Sequence, residues 1–115
     1  MHELDKLKLQ LRQFAADRDW DQFHSPKNLS MALIVEAAEL VEHFQWLTEE
    51  QSVNLSASKL KEVEEELADI FIYLVRSADR LGINLIEAAQ QKIQKNEQKY
   101  PAHMVKGSSK KSTEY

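Results

Sequence analysis

The stretch that most constrains the fold is residues 68–75, ADIFIYLV, which is apolar at almost every position. No convincing alternation with period two occurs in the chain, whereas apolar residues recur at spacings of three and four, so helices are expected. A helix that is apolar on nearly every side must be buried all round. A chain of 115 residues offers few neighbours to cover it. We therefore expect a second subunit to supply the missing cover.

The helical pattern divides the chain into four helices joined by short polar links. They are expected at residues 3–17, from a cap at Asn28 or Ser30 to Leu47, from a cap at Ser58 to Leu81 before Gly82, and from a cap at Asn84 to Pro101. Residues 18–28 are expected to be a loop, and residues 48–58 a polar connector with a short helical turn. The predicted fold is all-α: a four-helix bundle of residues 1–101 completed by dimerisation, followed by a polar, flexible tail of residues 102–115.

Composition excludes several classes of protein. The chain has no cysteine, so disulfides and thiolate-bound metals are ruled out. Its formal net charge is −4 and it has no long basic block, which argues against nucleic-acid binding. The first residues, MHELDKLKLQ, are charged rather than apolar, and no apolar run reaches the roughly 20 residues that span a bilayer. We expect a cytoplasmic protein with neither a nucleic-acid nor a membrane partner.

Two pairs of acids interrupt the apolar helical segments. Glu36 and Glu39 lie within LIVEAAELVEHFQW, and Glu66 and Asp69 lie within EELADIFIYLV. A spacing of three on a helix brings Cβ atoms to about 5–6 Å. Two such pairs on packed helices would repel and raise one another's pKa values. A hard cation such as Mg²⁺ or Mn²⁺, which prefers oxygen ligands, would remove that penalty.

Other interpretations of these acids stay open. The segment KEVEEE at 61–66 can be an ordinary solvated helix face. A non-catalytic helical oligomerisation module would explain the apolar stripes, but it gives no reason for Asp69 or Trp20. An iron or manganese carboxylate protein is a further alternative, although neither acidic helix contains the Glu-x-x-His motif of bundle di-iron sites. His43 shares the stripe of Glu36 and Glu39, where a packing or hydrogen-bonding role is favoured over metal ligation.

Four ordered blocks of this sequence resemble a known family. The ExxE and ExxD pairs are similar to those of the all-α nucleoside triphosphate pyrophosphohydrolases of the MazG type. The flanking residues resemble the dCTP pyrophosphatase branch of that superfamily, and the resemblance covers nearly all of the chain after about Phe14. The blocks are RDWDQFHSPKNL (18–29), EAAELVEHFQW (36–46), EEELADIFIYLV (64–75) and KIQKNEQKYPAH (92–103).

The resemblance implies an activity and a metal. Enzymes of this type cleave a nucleoside triphosphate between the α and β phosphates, which here implies dCTP or modified dCTP as substrate and a role in removing unwanted nucleotides. A broader specificity, or action on dUTP, is the alternative within the superfamily. The implied Mg²⁺ ligands, which also activate the attacking water, are Glu36, Glu39, Glu66 and Asp69. The implied assembly is a homotetramer built from dimers.

The resemblance also implies residues that bind the nucleotide. Those expected at the triphosphate are Lys92, Asn96, Lys99 and Tyr100, although the lysines would otherwise be taken for a solvated face. Tyr73 is expected to touch the sugar or a phosphate. Those expected to hold the base are Trp20, His24 and Trp46, with Phe23 and Phe14 as possible lining, although core is the favoured role of Phe14. The histidine at position 43 departs from the apolar residue typical of the branch, which leaves fine specificity open.

Overall fold

The computed structural model describes residues 2–109, and every regular element among them is helical. The all-α class predicted from the apolar spacing is therefore confirmed. No helix in this part of the chain is long and apolar enough to cross a membrane. The helices are α1 (Glu3–Asp17), α2 (Pro26–Glu42), α3 (Glu49–Ser52), α4 (Ala57–Arg80), α5 (Leu85–Lys99) and α6 (Ala102–Val105), with a 3-10 turn at Asp21–Phe23.

Helix α2 begins earlier than the sequence suggested. The Ser25 hydroxyl accepts a hydrogen bond from the backbone N–H of Asn28 at 3.1 Å, which makes Ser25 the N-cap. The caps predicted at Asn28 and Ser30 are therefore wrong. Pro26 fits the first helical position because the N–H that it lacks would have no helical partner there. Residues 26–28, which were expected to belong to the loop, are therefore the first turn of α2.

Helix α4 also begins earlier than predicted, and it ends where expected. Ser56 accepts a hydrogen bond from the backbone N–H of Lys59 at 3.2 Å, so Ser56 is the cap and the prediction of Ser58 is wrong. At the other end, Gly82 takes a φ of 68° directly after Leu81. Glycine adopts this left-handed conformation without strain, so it can end the helix at that position.

Helix α2 ends at Glu42, not at Leu47 as predicted. Beyond Glu42 the bonding tightens: the N–H of His43 donates to Leu40 O, and the N–H of Leu47 donates to Phe44 O, each three residues back. This 3-10 type of bonding closes the helix without glycine or proline. The expected short turn in the following connector is α3.

The chain divides into two compact units, of which the structure describes residues 2–82 and 83–109. In the first unit, α1 and α2 both pack against α4. Its core is small and consists of Ala15, Leu29, Val63, Val75 and Ala78. The second unit contains α5, capped by Asn84 as predicted, and α6. The division into a domain of residues 1–101 and a tail stays a prediction, and residues 110–115 of that tail lie outside the described range.

Within the first unit, helix α4 is covered on one side only. Val63, Val75 and Ala78 are buried against the neighbouring helices. Leu67 and Phe71, by contrast, are 52% and 45% exposed. The described residues therefore leave part of this helix exposed, and the covering second subunit stays a prediction.

Candidate functional site

Three glutamates meet where α2 packs against α4. One carboxylate oxygen each of Glu36, Glu39 and Glu66 lies within 4.8 Å of the other two. All three side chains are partly buried. The spacing of three on α2 places Glu36 and Glu39 on the face that meets α4, and Glu66 faces them from there. We call these three residues the acidic cluster.

The acidic cluster holds its charges without compensation. Burial, followed by the nearby carboxyl groups of Glu66 and Glu39, raises the pKa of Glu36 to about 7. Burial also raises the pKa of Glu66, and the charges of Glu39 and Asp69 add to that shift. The Oε2 atoms of Glu36 and Glu66 are buried and accept no hydrogen bond from any described residue. No lysine or arginine within residues 2–109 forms an ion pair with the three glutamates.

This donor set fits a divalent cation. Buried, unpartnered carboxylate oxygens are costly, and a cation ligated by them would remove the cost. An all-oxygen set without histidine or sulfur suits Mg²⁺ or Mn²⁺ better than softer metals. The acidic cluster could therefore hold a hard divalent metal.

Asp69 and Tyr73 follow Glu66 on α4 at the edge of the acidic cluster. Asp69 is exposed and is not one of the three mutually close acids. Its charge nonetheless acts on its neighbours, since it helps to raise the pKa values of Glu66 and Tyr73. Burial and the charges of Glu36 and Asp69 raise the pKa of the Tyr73 phenol above its ordinary 10.0. Tyr73 is therefore held as a neutral hydroxyl that can donate a hydrogen bond beside the acids.

His43 is not a member of the acidic cluster. Its Nδ1 is 3.9 Å from Glu62 Oε2, and its side chain is 17% exposed. Glu62 also accepts a hydrogen bond from Lys59 Nζ at 3.3 Å. This environment agrees with the packing role favoured from the sequence.

The end of α1 determines where Trp20 lies. The N–H of Trp20 donates to Ala15 O at 2.9 Å, and the N–H of Asp19 donates to Ala16 O at 3.1 Å. This pair of bonds is a Schellman motif, which requires a left-handed residue just past the helix. Asp19 fills that position with a φ of 54°, a conformation that aspartate tolerates better than most residues. The Gln22 side chain supports it by donating to the Asp19 carbonyl and carboxylate at 2.9 and 3.0 Å.

Aromatic rings and cations form a continuous row beside this motif. The Arg18 guanidinium lies 3.6 Å above the Phe14 ring. The Phe14 and Trp20 rings meet edge to face at 5.7 Å, and the Trp20 and His24 rings lie 6.2 Å apart. Trp20 is 43% exposed, so one part of its ring remains open to solvent. Phe14 is 47% exposed and supports Trp20, so the expectation that it is core is wrong.

A network of arginine and aspartate residues also holds the loop between α1 and α2, and the sequence analysis did not predict it. Arg76 on α4 is 5% exposed and pairs with Asp21, while its Nε donates to His24 Nδ1 at 3.3 Å. Arg76 Nη1 lies 3.6 Å from Asp79 Oδ2. Asp79 in turn accepts two hydrogen bonds from Arg12, at 2.6 and 2.7 Å. We call Arg12, Asp21, Arg76 and Asp79 the arginine network.

The arginine network borders a cleft of about 580 Å³. The cleft is lined by Leu9, Arg12, Gln13, Ala16, Asp21, Arg76, Asp79 and Arg80. Because Arg12 and Arg76 already bond to carboxylates, they offer little free positive charge to an anion there. The only sequence signal was the charged segment RSADR at 76–80, which directly follows the apolar stretch.

The remaining predicted residues are not members of the acidic cluster. Trp46 lies in the turn after α2 and is 87% exposed, and Phe23 is 58% exposed. The other four belong to α5 and its C-cap in the second unit: Lys92, Asn96, Lys99 and Tyr100. There the N–H of Tyr100 donates to Asn96 O at 2.7 Å, and Lys99 Nζ lies 6.0 Å from the Tyr100 ring centre. Their part in binding stays a prediction.

Comparison with known families assigns the chain to one of them. Residues 31–115, about three quarters of the chain, match the MazG-like family. The chain therefore belongs to the MazG-like family.

Its relatives define the branch. The chain is 44% identical to dCTP pyrophosphatase 1 of Homo sapiens and 43% identical to that of Bos taurus, each over 104 residues. These matches cover 89% of the chain but 61–62% of the relatives, so the chain spans about three fifths of their length. A crystal structure of a pyrophosphatase from Archaeoglobus fulgidus is 42% identical, with a TM-score of 0.83 and coverage of 88% and 94% of the two chains. The dCTP pyrophosphatase-like branch indicated by the sequence blocks is confirmed.

Proposed function

We propose that this protein is a metal-dependent nucleoside triphosphate pyrophosphohydrolase that cleaves dCTP or modified dCTP into the monophosphate and pyrophosphate. The observation that carries this function is the acidic cluster, with its two buried oxygens that no described residue satisfies. The names of the relatives support the same activity, since the mammalian ones are dCTP pyrophosphatases.

The chain's own residues supply the ligands and the base. Glu36, Glu39 and Glu66, with Asp69 from the next turn of α4, would hold Mg²⁺, and Mn²⁺ could take its place. Such an ion would neutralise charge on the phosphate oxygens and acidify water in the site. A carboxylate oxygen of this set that remains free accepts the proton of the attacking water. The water oxygen bonds to phosphorus, the bridging P–O bond breaks, and pyrophosphate separates from the monophosphate.

Three sets of residues would hold the substrate. The Tyr73 hydroxyl, kept neutral by its acidic neighbours, would donate to the sugar or to a phosphate. The open part of the Trp20 ring and His24 would contact the base, with Trp46 as a further wall. Contacts to the triphosphate would come from α5, with positive charge from Lys92 and Lys99 and hydrogen-bonding groups from Asn96 and Tyr100.

The direct test is a panel of canonical and 5-substituted deoxynucleoside triphosphates with Mg²⁺, scored for pyrophosphate and monophosphate. We expect dCTP and its 5-substituted forms to be the best substrates. A preference for dUTP, or equal rates for all bases, would point to the broader-specificity alternative. Release of inorganic phosphate instead of pyrophosphate would contradict the assigned bond. Asp69→Asn, a change at an exposed carboxylate, tests its inclusion in the ligand set, because full activity in this variant would remove it.

We further propose that a second copy of the chain covers α4 and that two dimers form a tetramer. The exposed apolar residues Leu67 and Phe71 on α4, together with Ile34 and Val35 on α2 at 66% and 54% exposure, support a self-complementary surface. Light scattering of Phe71→Glu should show a smaller species than the unaltered protein. Leu9→Glu, at an exposed leucine of α1, is the matched control and should keep the assembly.

A further inference from the structure

All three nitrogens of the Arg76 guanidinium have partners, two in the loop between α1 and α2 and one on α4. Its Nε donates to His24 Nδ1 at 3.3 Å, its Nη2 pairs with Asp21, and its Nη1 faces Asp79 at 3.6 Å. Such a buried arginine is costly unless each nitrogen has a partner, which is the case here. Arg80 adds a second tie from α4, since its Nε donates to the His24 carbonyl at 3.1 Å. The loop is thereby held at both the Asp21 carboxylate and the His24 imidazole.

The contact with Arg76 determines which nitrogen of His24 carries the proton. A guanidinium only donates hydrogen bonds, so His24 Nδ1 must accept and cannot itself be protonated. The ring is then neutral, with its proton on Nε2. Nε2 donates to no residue within 2–109, so this N–H remains available next to the Trp20 ring.

The charges around His24 favour the same form. Burial, and then the positive charges of Arg76 and Arg80 on α4, lower the pKa of His24, while Asp21 on the 3-10 turn opposes them. The neutral ring therefore persists at neutral pH. Protonation of Nδ1 would place a donor against the Arg76 donor and break the contact that holds the loop.

We propose that Arg76 is a positioning residue for base recognition: it fixes His24 as a neutral Nε2–H donor beside Trp20, so that the loop selects a base edge that presents an acceptor atom. This role rests on the proposed function. A pyrimidine stacked on the open part of Trp20 would offer a carbonyl oxygen or an unprotonated ring nitrogen to that N–H. An edge that presents only donors would face the histidine donor and be rejected.

The test combines imidazole ¹⁵N spectra of the full chain, recorded without nucleotide, with steady-state kinetics on dCTP. In the unaltered protein, one histidine should show the Nε2–H tautomer and a pKa below the ordinary 6.5, and its signal should vanish in His24→Asn. Arg76→Lys keeps the charge but cannot reach three partners. It should raise the pKa of His24, abolish the fixed tautomer and raise KM about tenfold with little change in kcat. Arg12→Lys is the matched control, because Arg12 touches Asp79 but not His24.

Two results would overturn this role. One is an Nδ1–H tautomer or an ordinary pKa for His24 in the unaltered protein. The other is an Arg76→Lys variant that loses the fixed tautomer yet keeps the KM of the unaltered protein. A variant whose kcat falls and whose KM rises together, only as its melting temperature falls, would count in the same way.

If Arg76→Lys does not fold, Asp21→Asn, at a half-exposed side chain, replaces it. Loss of the Asp21 charge should lower the pKa of His24 further, and a rise in that pKa would contradict the effect assigned to Asp21. Because the spectra need no substrate, failure of the hydrolase assay would refute the proposed function while leaving the tautomer result intact.

Discussion

Helix α4 carries two charged regions that follow opposite rules. Near its middle, Glu66 joins Glu36 and Glu39 in a set of like charges with buried, unsatisfied oxygens. Ten residues further on, about 15 Å along the axis, Arg76 lies in a set of alternating charges in which each buried group faces an opposite one. The first region raises the pKa of a carboxyl group, whereas in the second Arg12 lowers the pKa of Asp79.

The difference separates a site from a scaffold. Buried charge that the protein neutralises itself stabilises one geometry and needs no external ligand. Buried charge that stays uncompensated costs stability and is retained where a ligand supplies the missing sign. On this argument we assign the acidic cluster to the proposed chemistry, and the arginine network to the proposed positioning of the loop that carries Trp20 and His24.

The largest expected effect is on catalysis. Glu39→Gln removes one charge and one ligand from the acidic cluster, so pyrophosphate release should fall by about 100-fold or more, the scale of a single preorganised electrostatic group. The free energy of unfolding without metal should not fall, since one source of like-charge repulsion is gone. Initial rates and urea unfolding measure the two. Glu64→Gln, at an exposed acid that pairs with Lys61 at 3.5 Å, is the control and should change neither. Full activity in Glu39→Gln would remove the cluster from the mechanism.

The next effect falls on stability and concerns the other region. Arg76→Met leaves the buried Asp79 with Arg12 alone, and the free energy of unfolding should drop by about 3 kcal/mol, as when a buried pair loses one member. Urea denaturation followed by circular dichroism measures it. Lys59→Met breaks only the exposed pair with Glu62 and should cost less than about 0.5 kcal/mol. Equal losses in the two variants would mean that the arginine network is no more than surface charge.

The two regions also differ in how far sequence could predict them. The acidic cluster follows from a spacing of three on two packed helices, so Glu36, Glu39 and Glu66 could be named in advance. The arginine network joins Arg76 to Asp21 and Arg12 to Asp79, which lie 55 and 67 positions apart, and no local spacing encodes these two pairs.

Local conformation limited the prediction of the loop in a similar way. Asp19 turns the chain in a left-handed conformation without the glycine that would have signalled it. The capping role of Ser25 was hidden by the proline that follows it. The helical class, by contrast, follows from apolar periodicity that holds along almost the whole chain.

A smaller effect separates the regions through metal binding. Mg²⁺ at ten times its dissociation constant should stabilise the folded state by about 1.4 kcal/mol, from RT ln(1 + [L]/Kd). Melting scans at fixed protein concentration measure the shift. Glu66→Gln should lose it, whereas Lys61→Gln, at an exposed lysine of the same helix, should keep it. No shift at millimolar Mg²⁺ in the unaltered protein would favour the non-catalytic oligomerisation module.

A further expected effect is a pair of opposite pH slopes in metal-free protein. Because the pKa of Glu36 is raised from 4.5 to about 7, the folded state binds more protons than the unfolded state between these values. That contribution to stability is complete below pH 4.5 and is lost as the pH rises through about 7. Glu36→Gln should remove this decline in the melting temperature.

Asp79 should give the reverse slope at acid pH. The hydrogen bonds from Arg12 hold the pKa of Asp79 below its ordinary 3.8, so its contribution is present above that pH and is lost as the pH falls through the folded value. Melting temperatures in chelator from pH 2 to 8, compared among the unaltered protein, Glu36→Gln and Asp79→Asn, measure both slopes. Glu36→Gln should flatten only the decline in melting temperature towards pH 7, and Asp79→Asn only the decline at acid pH. If Glu36→Gln flattened the acid limb, the two regions would not be the independent electrostatic units that their contacts define.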